Sequence, residues 1–369
     1  MRSDHDTTRR WPCAGSVELE GPLGERARAW EEFLLNQPQG QYQQSMRWAR
    51  VKQGDGWQGL LHLWDSAGRI EGGFLLLIKA TRWGRIGFVN KGPVLAREGP
   101  ESVRDALRRV LDVARTERLR ALVLQPPDRS SIRWEDLRHF GFCRAPVPGI
   151  IDATLIASLD GGREGILARL SRTARKQVRS ALRHGVGIVE GTRSDLPRFF
   201  ELMCHTCRRQ GVTPNPANVE GIYRRWDAFQ SQVKVLFARI GEELVAGRLL
   251  ICFGVTCTSE KKGWNERFPE AHPNTLLSVE AMVRAAEWGC RYMDFAAMDR
   301  RLAERMLRGE DVEKEISSTR YNFNLRLGAR PFLLPCAHVW MPRAWQRPWV
   351  DWVLSRRWLA RQLERIMSR

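Results

Sequence analysis

Two stretches of this 369-residue chain repeat one order of elements, and that repetition constrains the fold more than any single motif. Residues 59–79, GLLHLWDSAGRIEGGFLLLIK, read as strand, turn, strand. Residues 234–254, KVLFARIGEELVAGRLLICFG, read the same way, with Gly241-Glu242-Glu243 in place of the first turn. Aligning Gly73 with Gly247 gives an offset of 174. Each hairpin precedes a helix-period segment, roughly 101–118 in the first copy and 275–289 in the second. Each helix precedes a short buried strand, RALVLQPP or RYMDFAAM, and aligning Arg120 with Arg291 gives an offset of 171. Two copies of one α/β unit, joined near residues 150–160, are the simplest account; chance likeness of common pieces is the alternative. The predicted organisation is a polar extension at 1–26, α/β domains at 27–155 and 156–335, and a basic, Trp/Arg-rich helical tail at 336–369.

Charge narrows the partners. The chain carries 60 Lys+Arg against 42 Asp+Glu, a formal charge of +18, which favours nucleic acid, an anionic membrane or a phosphorylated substrate. Residues 163–184 concentrate that charge. At helical spacing Leu167, Leu170, Ala174, Val178 and Ala181 form one stripe, and Arg172, Arg175, Lys176, Arg179 and Arg183 form the opposite one. Like charges at i, i+4 cost about 0.2–0.5 kcal/mol each. A phosphate-rich partner accounts for the row, and a solvated face is the plainer reading. The tail offers similar alternatives. Trp345, Trp349 and Trp352 share a helix face and precede Arg356, Arg357, Arg361 and Arg365. That pattern suits docking onto the domain, stacking on RNA, or peripheral association with a membrane.

Eight cysteines lack framework spacing, which predicts reduced thiols in a cytoplasm. The one CxxC, Cys204 to Cys207, sits in a helical pattern without a second pair, so packing is expected there and no metal. The apolar runs at 75–78 and 249–252 are strand-sized, and the first residues lack a signal peptide's apolar stretch.

Five patches in order resemble the FemABX family of aminoacyl-tRNA-dependent transferases, covering roughly residues 27–335. They are Gln44-Ser45 through Trp48 and Lys52 to Gly56-Trp57; Gly87-Phe88-Val89-Asn90-Lys91-Gly92-Pro93-Val94; the basic helix ending in Gly185-Val186; Thr206-Cys207-Arg208-Arg209-Gln210-Gly211; and Gly263-Trp264 through Pro273-Asn274 and Leu276-Leu277 to Asp294-Phe295. The resemblance implies two tandem GNAT-like α/β domains with mixed sheets. It implies transfer of an amino acid from aminoacyl-tRNA to an amine of a cell-wall precursor or a small-molecule or peptide acceptor. No cofactor is expected beyond aminoacyl-tRNA as co-substrate.

By that resemblance Lys52, beside Trp48, and Arg209 or its neighbour Arg208 would grip phosphates of a nucleotide-linked acceptor, and Trp264 and Asn274 would line the substrate site. Arg172, Arg175, Lys176, Arg179 and Arg183 would contact tRNA. Asp294, placed at a strand end, is a candidate base or orienting group. Two departures touch positions assigned near the catalytic centre of relatives: Gln125 stands where the family strand ends in Asp-Pro, and Asn324 replaces the lysine of a late Phe-Lys-x-x-Phe-Gly, with Arg326 as a substitute cation. The ester of a charged tRNA is already activated, so positioning and oxyanion donors suffice, without a covalent nucleophile. Two other readings remain. Acyl-CoA use needs a phosphate-binding turn whose nearest match, Arg208 to Thr213, does not follow a strand. A non-catalytic RNA- or membrane-binding protein fits the two departures.

Overall fold

The computed structural model describes residues 24–342, apart from Trp83, Ala145, Pro146, Pro148 and Ser318. The expected N-terminal extension up to residue 23 and the tail from residue 343 lie outside the described residues. The described residues divide into two compact units, one holding residues 24–147 together with 335–342, the other Gly149–Leu334.

The first unit begins with helices α1 (Glu25–Asn36) and α2 (Met46–Gln53). Ser45 caps α2, its hydroxyl accepting from Trp48 N at 3.1 Å. Strands β1 (Gln58–Ser66) and β2 (Arg69–Thr81) follow as an antiparallel hairpin. Its turn needs two positive φ angles, taken by Ala67 and Gly68. Strands β3 (Gly84–Asn90) and β4 (Val94–Leu95) both pair with β2. Helix α3 (Pro100–Thr116), with Pro100 where a missing N–H costs nothing, leads to β5 (Ala121–Gln125), parallel to β3. Helix α4 (Trp134–His139) and β6 (Cys143–Arg144) complete it. Val103, Leu107, Val110 and Leu111 of α3 pack on Phe74 and Leu76 of β2, each fully buried side chain contributing about 1.5–3 kcal/mol.

The second unit runs β7 (Ala153–Ser158), α5 (Gly162–Arg169), α6 (Arg172–Arg183), β8 (Gly187–Glu190), α7 (Leu196–Arg209) and α8 (Glu220–Phe229). It continues with β9 (Val233–Ile240), β10 (Glu243–Phe253), β11 (Thr256–Trp264), α9 (Pro273–Glu287) and β12 (Tyr292–Ala297). Helices α10 (Arg300–Leu307), α11 (Glu313–Ser317) and α12 (Tyr321–Arg326) and strand β13 (Arg330–Leu333) end it. Its seven-stranded sheet has the order β13-β7-β12-β11-β10-β9-β8. Helix α7 packs on one face and α6 and α9 on the other, over Leu236, Leu250 and Met293.

The duplication is present. In both units an antiparallel hairpin, a third antiparallel strand, a helix and a parallel strand follow in that order. This is the α/β class of two tandem GNAT-like domains with mixed sheets. Two expectations are corrected. The segment 163–184 is two helices, because Leu170 is extended (φ −64°, ψ 142°) and Ser171 caps α6 by accepting from Ala174 N at 3.1 Å. The Ser171 N–H donates to Arg326 O at 2.9 Å, holding the break in place. The tail expected to be helical opens with a strand, β14 (His338–Trp340), which inserts between β5 and β6 of the first sheet.

Candidate active site

Strands β11 and β12 run parallel side by side only from Thr256↔Tyr292 to Thr258↔Asp294 and then part, although β11 continues to Trp264. Each strand carries an irregularity where they separate. In β11 the register jumps from Leu250↔Ser259 to Leu249↔Lys261, leaving Glu260 as an extra residue. In β12 the pairing with β7 shifts between Asp294 and Ala297, and Ala296 adopts φ +65°. Asp294 therefore lies within the strand rather than at its end. Its carboxylate accepts from Ala296 N at 2.8 Å and from the buried Thr154 hydroxyl, so it holds the bulge that opens the wedge.

The β11 face toward α9 is strongly cationic. Arg248 on β10 is directly opposite Lys262. Arg248 is buried, donates to the hydroxyls of Ser259 and Ser278 at 2.6 Å each, and loses enough hydration to bring its guanidinium down to about 10. Lys262 as a whole is exposed, although many protein atoms stand around its ammonium. Lost hydration, then the positive charges of Arg248, Arg320 and Arg209, push its ammonium down to about 8. No carboxylate pairs with Lys262 among the described residues. Trp264, two residues further along the same face, donates from Nε1 to Arg267 O at 3.3 Å. The Arg209 guanidinium lies 5.3 Å from the Trp264 ring centroid and pairs with Glu266 at 2.8 Å.

Trp264 also walls a cavity of about 340 Å3. Its other walls are His272 to Thr275 at the start of α9, Ala174 and Gln177 of α6, and Asn322, Phe323 and Arg326 of α12. The positive end of the α9 dipole meets it there. Thr275 donates to Gln177 Oε1 at 3.0 Å, tying α9 to α6 across the wall. The opposite face of α6 is open: Arg172, Arg175, Lys176, Arg179 and Arg183 are all exposed, and none has an ion pair among the described residues.

Three residues named from the sequence thus line one cavity, Trp264, Asn274 and Arg326, and Arg209 stacks against its wall. Arg208 is exposed at the end of α7. Asn324 does not line the cavity; it is buried, and its Oδ1 meets no donor among the described residues. Cys204 and Cys207 lie on α7, and no metal-binding cluster is present among the described residues.

The other named residues belong to the first unit. Lys52 is buried, 3.5 Å from Asp55 and 5.6 Å from the ring of Trp48. Gln125 is 1% exposed and donates to Pro335 O at 2.8 Å, while its own carbonyl accepts from Gly92 N. Sequence reading missed Asp128, three residues later, whose carboxylate takes Lys91 Nζ at 2.6 Å and the amide of Gln41. It also missed Lys262, which sits in an ordinary-looking Glu-Lys-Lys run.

Residues 168–314 match the acetyltransferase (GNAT) domain family. Over 206 residues, 52% of this chain, the sequence is 26% identical to the lipid II:glycine glycyltransferase of Staphylococcus aureus (strain MRSA252). That match spans 49% of the relative, about half its length. The crystal structure of FemX superimposes with a TM-score of 0.76, over 90% of this chain and 99% of that one, at 16% identity. L-PGS from Bacillus licheniformis gives 0.53, over 91% and 98%, at 13% identity. At these identities the two structures speak to the fold.

Proposed function

We propose that this chain, which resembles the FemABX family in sequence and in its tandem GNAT-like fold, is an aminoacyltransferase that forms an amide on an amine of a cell-wall-type acceptor, drawing the amino acid from aminoacyl-tRNA. The observation that carries the reading is the parting of β11 and β12 beside an unpaired Lys262 and a cavity walled by Trp264. Attack by an amine on an ester carbonyl makes an oxyanion and an ammonium together. Past Thr258 the β11 backbone has no β12 partner, so in this reading the oxyanion donors are those of its amides that neither turn to β10 nor, like Trp264 N, donate to Thr206 Oγ1. Lys262, brought down to about 8, is partly neutral near that pH and suits taking the ammonium proton. The ribose oxygen then leaves with a proton.

A charged tRNA also suits the surroundings. Helix α6 borders the cavity through Ala174 and Gln177 and turns five unpaired cations to solvent, a surface for phosphates next to a pocket of aminoacyl size. Acyl-CoA is the less favoured donor. The loop from β11 to α9, residues 265–272 (NERFPEAH), contains no glycine to bring backbone amides onto a pyrophosphate. Lys52, already matched by Asp55, serves an acceptor phosphate in this reading by exchanging that partner. The test is transfer of radiolabelled amino acids from charged tRNAs to amine-bearing cell-wall peptides. RNase-sensitive amide formation supports the proposal, whereas RNase-insensitive transfer driven by acyl-CoA replaces it.

A further inference from the structure

Away from the cavity, at the other end of β11, three thiols converge. Cys252 and Cys257 are direct partners across the β10–β11 hairpin, with Sγ atoms 3.2 Å apart. Directly opposed residues of an antiparallel pair have Cα atoms about 4.5–5.5 Å apart, inside the span of about 4.4–6.8 Å that a disulfide bridges. Cys290 arrives from the end of α9. The next two residues, Arg291 and Tyr292, both donate to Val255 O in the hairpin turn, which anchors Cys290 against it. Cys257 and Cys290 are buried and Cys252 is half-buried, one residue from a turn whose Val255 is exposed.

The three sulfurs share protons unequally. Cys290 is lowered because it accepts S–H bonds from Cys252 and Cys257. Cys252 and Cys257 are raised, the latter by its bonds to Cys252 and Cys290 and by burial. A thiolate beside two thiols, one partly reachable from solvent, is an arrangement for two-electron oxidation.

We propose that Cys252, Cys257 and Cys290 form a peroxide-reactive site at which one hydroperoxide is consumed and a Cys252–Cys257 disulfide closes. The Cys290 thiolate attacks the outer peroxide oxygen. The O–O bond breaks, Cys290 becomes a sulfenic acid, and the departing alkoxide takes the Cys252 proton and leaves as an alcohol. The Cys252 thiolate attacks the Cys290 sulfur, the S–O bond breaks, and the hydroxide takes the Cys257 proton and leaves as water. The Cys257 thiolate then attacks the Cys252 sulfur, so that the Cys252–Cys257 bond forms as the Cys252–Cys290 bond breaks. Two thiols are oxidised and one hydroperoxide is reduced to alcohol and water. Cys290 supplies the attacking thiolate and is regenerated.

Trypsin makes this directly readable, because residues 249–261 form one peptide carrying both Cys252 and Cys257. The intact protein is exposed to hydrogen peroxide, quenched, unfolded, alkylated and digested. The expected peptide is two hydrogens lighter, unalkylated, and restored by dithiothreitol before alkylation. Cys290→Ser is expected to slow closure at least tenfold while leaving far-UV circular dichroism unchanged. Both cysteines remaining fully alkylatable while the half-buried Cys204 and Cys207 oxidise would overturn the site, and closure at the wild-type rate in C290S would overturn the role of Cys290.

Discussion

The two halves of the chain use the same strands but join them at opposite ends. Setting Thr81↔Gly84 against Phe253↔Thr256 brings Ile86 and Gly87 of β3 into register with Thr258 and Ser259 of β11 and, past the extra Glu260, Phe88 and Val89 into register with Lys261 and Lys262. In the first half those residues pair without interruption with β5, Ile86↔Ala121 through Val89↔Leu124. In the second half the parallel pairing covers Thr256 to Thr258 and stops. The place of Val89, closed by Leu124, is taken by Lys262, beside the open wedge. Charge follows the same division. Around the closed end Lys91 is matched by Asp128, whereas among the described residues Arg248 donates to hydroxyls and Lys262 has no carboxylate partner. A duplicated scaffold has thus kept one copy zipped and neutral and left the other open and cationic, and the open copy has the means to hold a reacting group.

The comparison breaks most visibly at Lys262. If this side chain takes the acceptor's proton, Lys262→Met should lower kcat/KM by about 10²- to 10⁴-fold, the usual contribution of a positioned base. The pH profile fixes the sign. Its ammonium is lowered from the ordinary lysine value to about 8, so the neutral form is scarce below that pH and dominant above it. Wild-type kcat/KM should therefore rise through pH about 8 and then level, and K262M should lose that limb. A wild-type limb retained in K262M would assign the proton transfer elsewhere.

Two glycines test how tightly each sheet is clamped. A Cβ on Gly263 would lie 2.3 Å from backbone atoms of Leu202 and Met203, so α7 itself would have to move. A Cβ on Gly87 meets the ends of the Leu119 and Leu76 side chains, which can rotate. Urea unfolding should show a loss of about 3 kcal/mol or more for Gly263→Ala and about 1 kcal/mol for Gly87→Ala. Equal losses would mean that the second sheet is no more rigidly backed than the first. Asp128→Asn should cost about 2 kcal/mol by stranding buried Lys91, with kcat little changed.

Much of this architecture was legible because hairpins and amphipathic helices announce themselves through periods of 2 and 3.6, with Gly68 and Gly241 marking the turns. The break at Leu170 was not, because every residue around it tolerates a helix; only Ser171, a good N-cap with Ala174 three residues on, carried the signal. Strand β14 is three residues long, too short for any period, and it finds its place only through long-range pairing with β5. Lys262 was hidden for a different reason. Its environment depends on the extra Glu260 and on β12 turning away at Asp294, two tertiary events that no local pattern encodes. Asp128 escaped because motif alignment inspects one position, while a carboxylate three residues later reaches the same strand end.

The smallest expected effect concerns two basic helices. On α3, Arg108 and Arg109 share Asp105, and Arg115 pairs with Asp112, so two carboxylates offset three of its cations. On α6 the five cations have no acidic partner among the described residues. Phosphate contacts release counterions, giving a slope of log K against log salt of roughly −0.7 per contact for single strands and −0.9 for duplex. Arg175, Arg179 and Arg183 changed together to Gln should flatten that slope for tRNA by about two to three units. Folding should be spared, since Ala174, Val178, Ala181 and the Ser171 cap are untouched. Weakening should be similar for every tRNA, because phosphate contacts position without reading sequence. The same change at Arg108, Arg109 and Arg115 should flatten the slope by less, since two carboxylates already offset those three guanidiniums in the folded chain. Equal flattening from the two helices would reduce the contrast between them to bulk charge, and an unaltered slope from α6 would make its row of cations a solvated face.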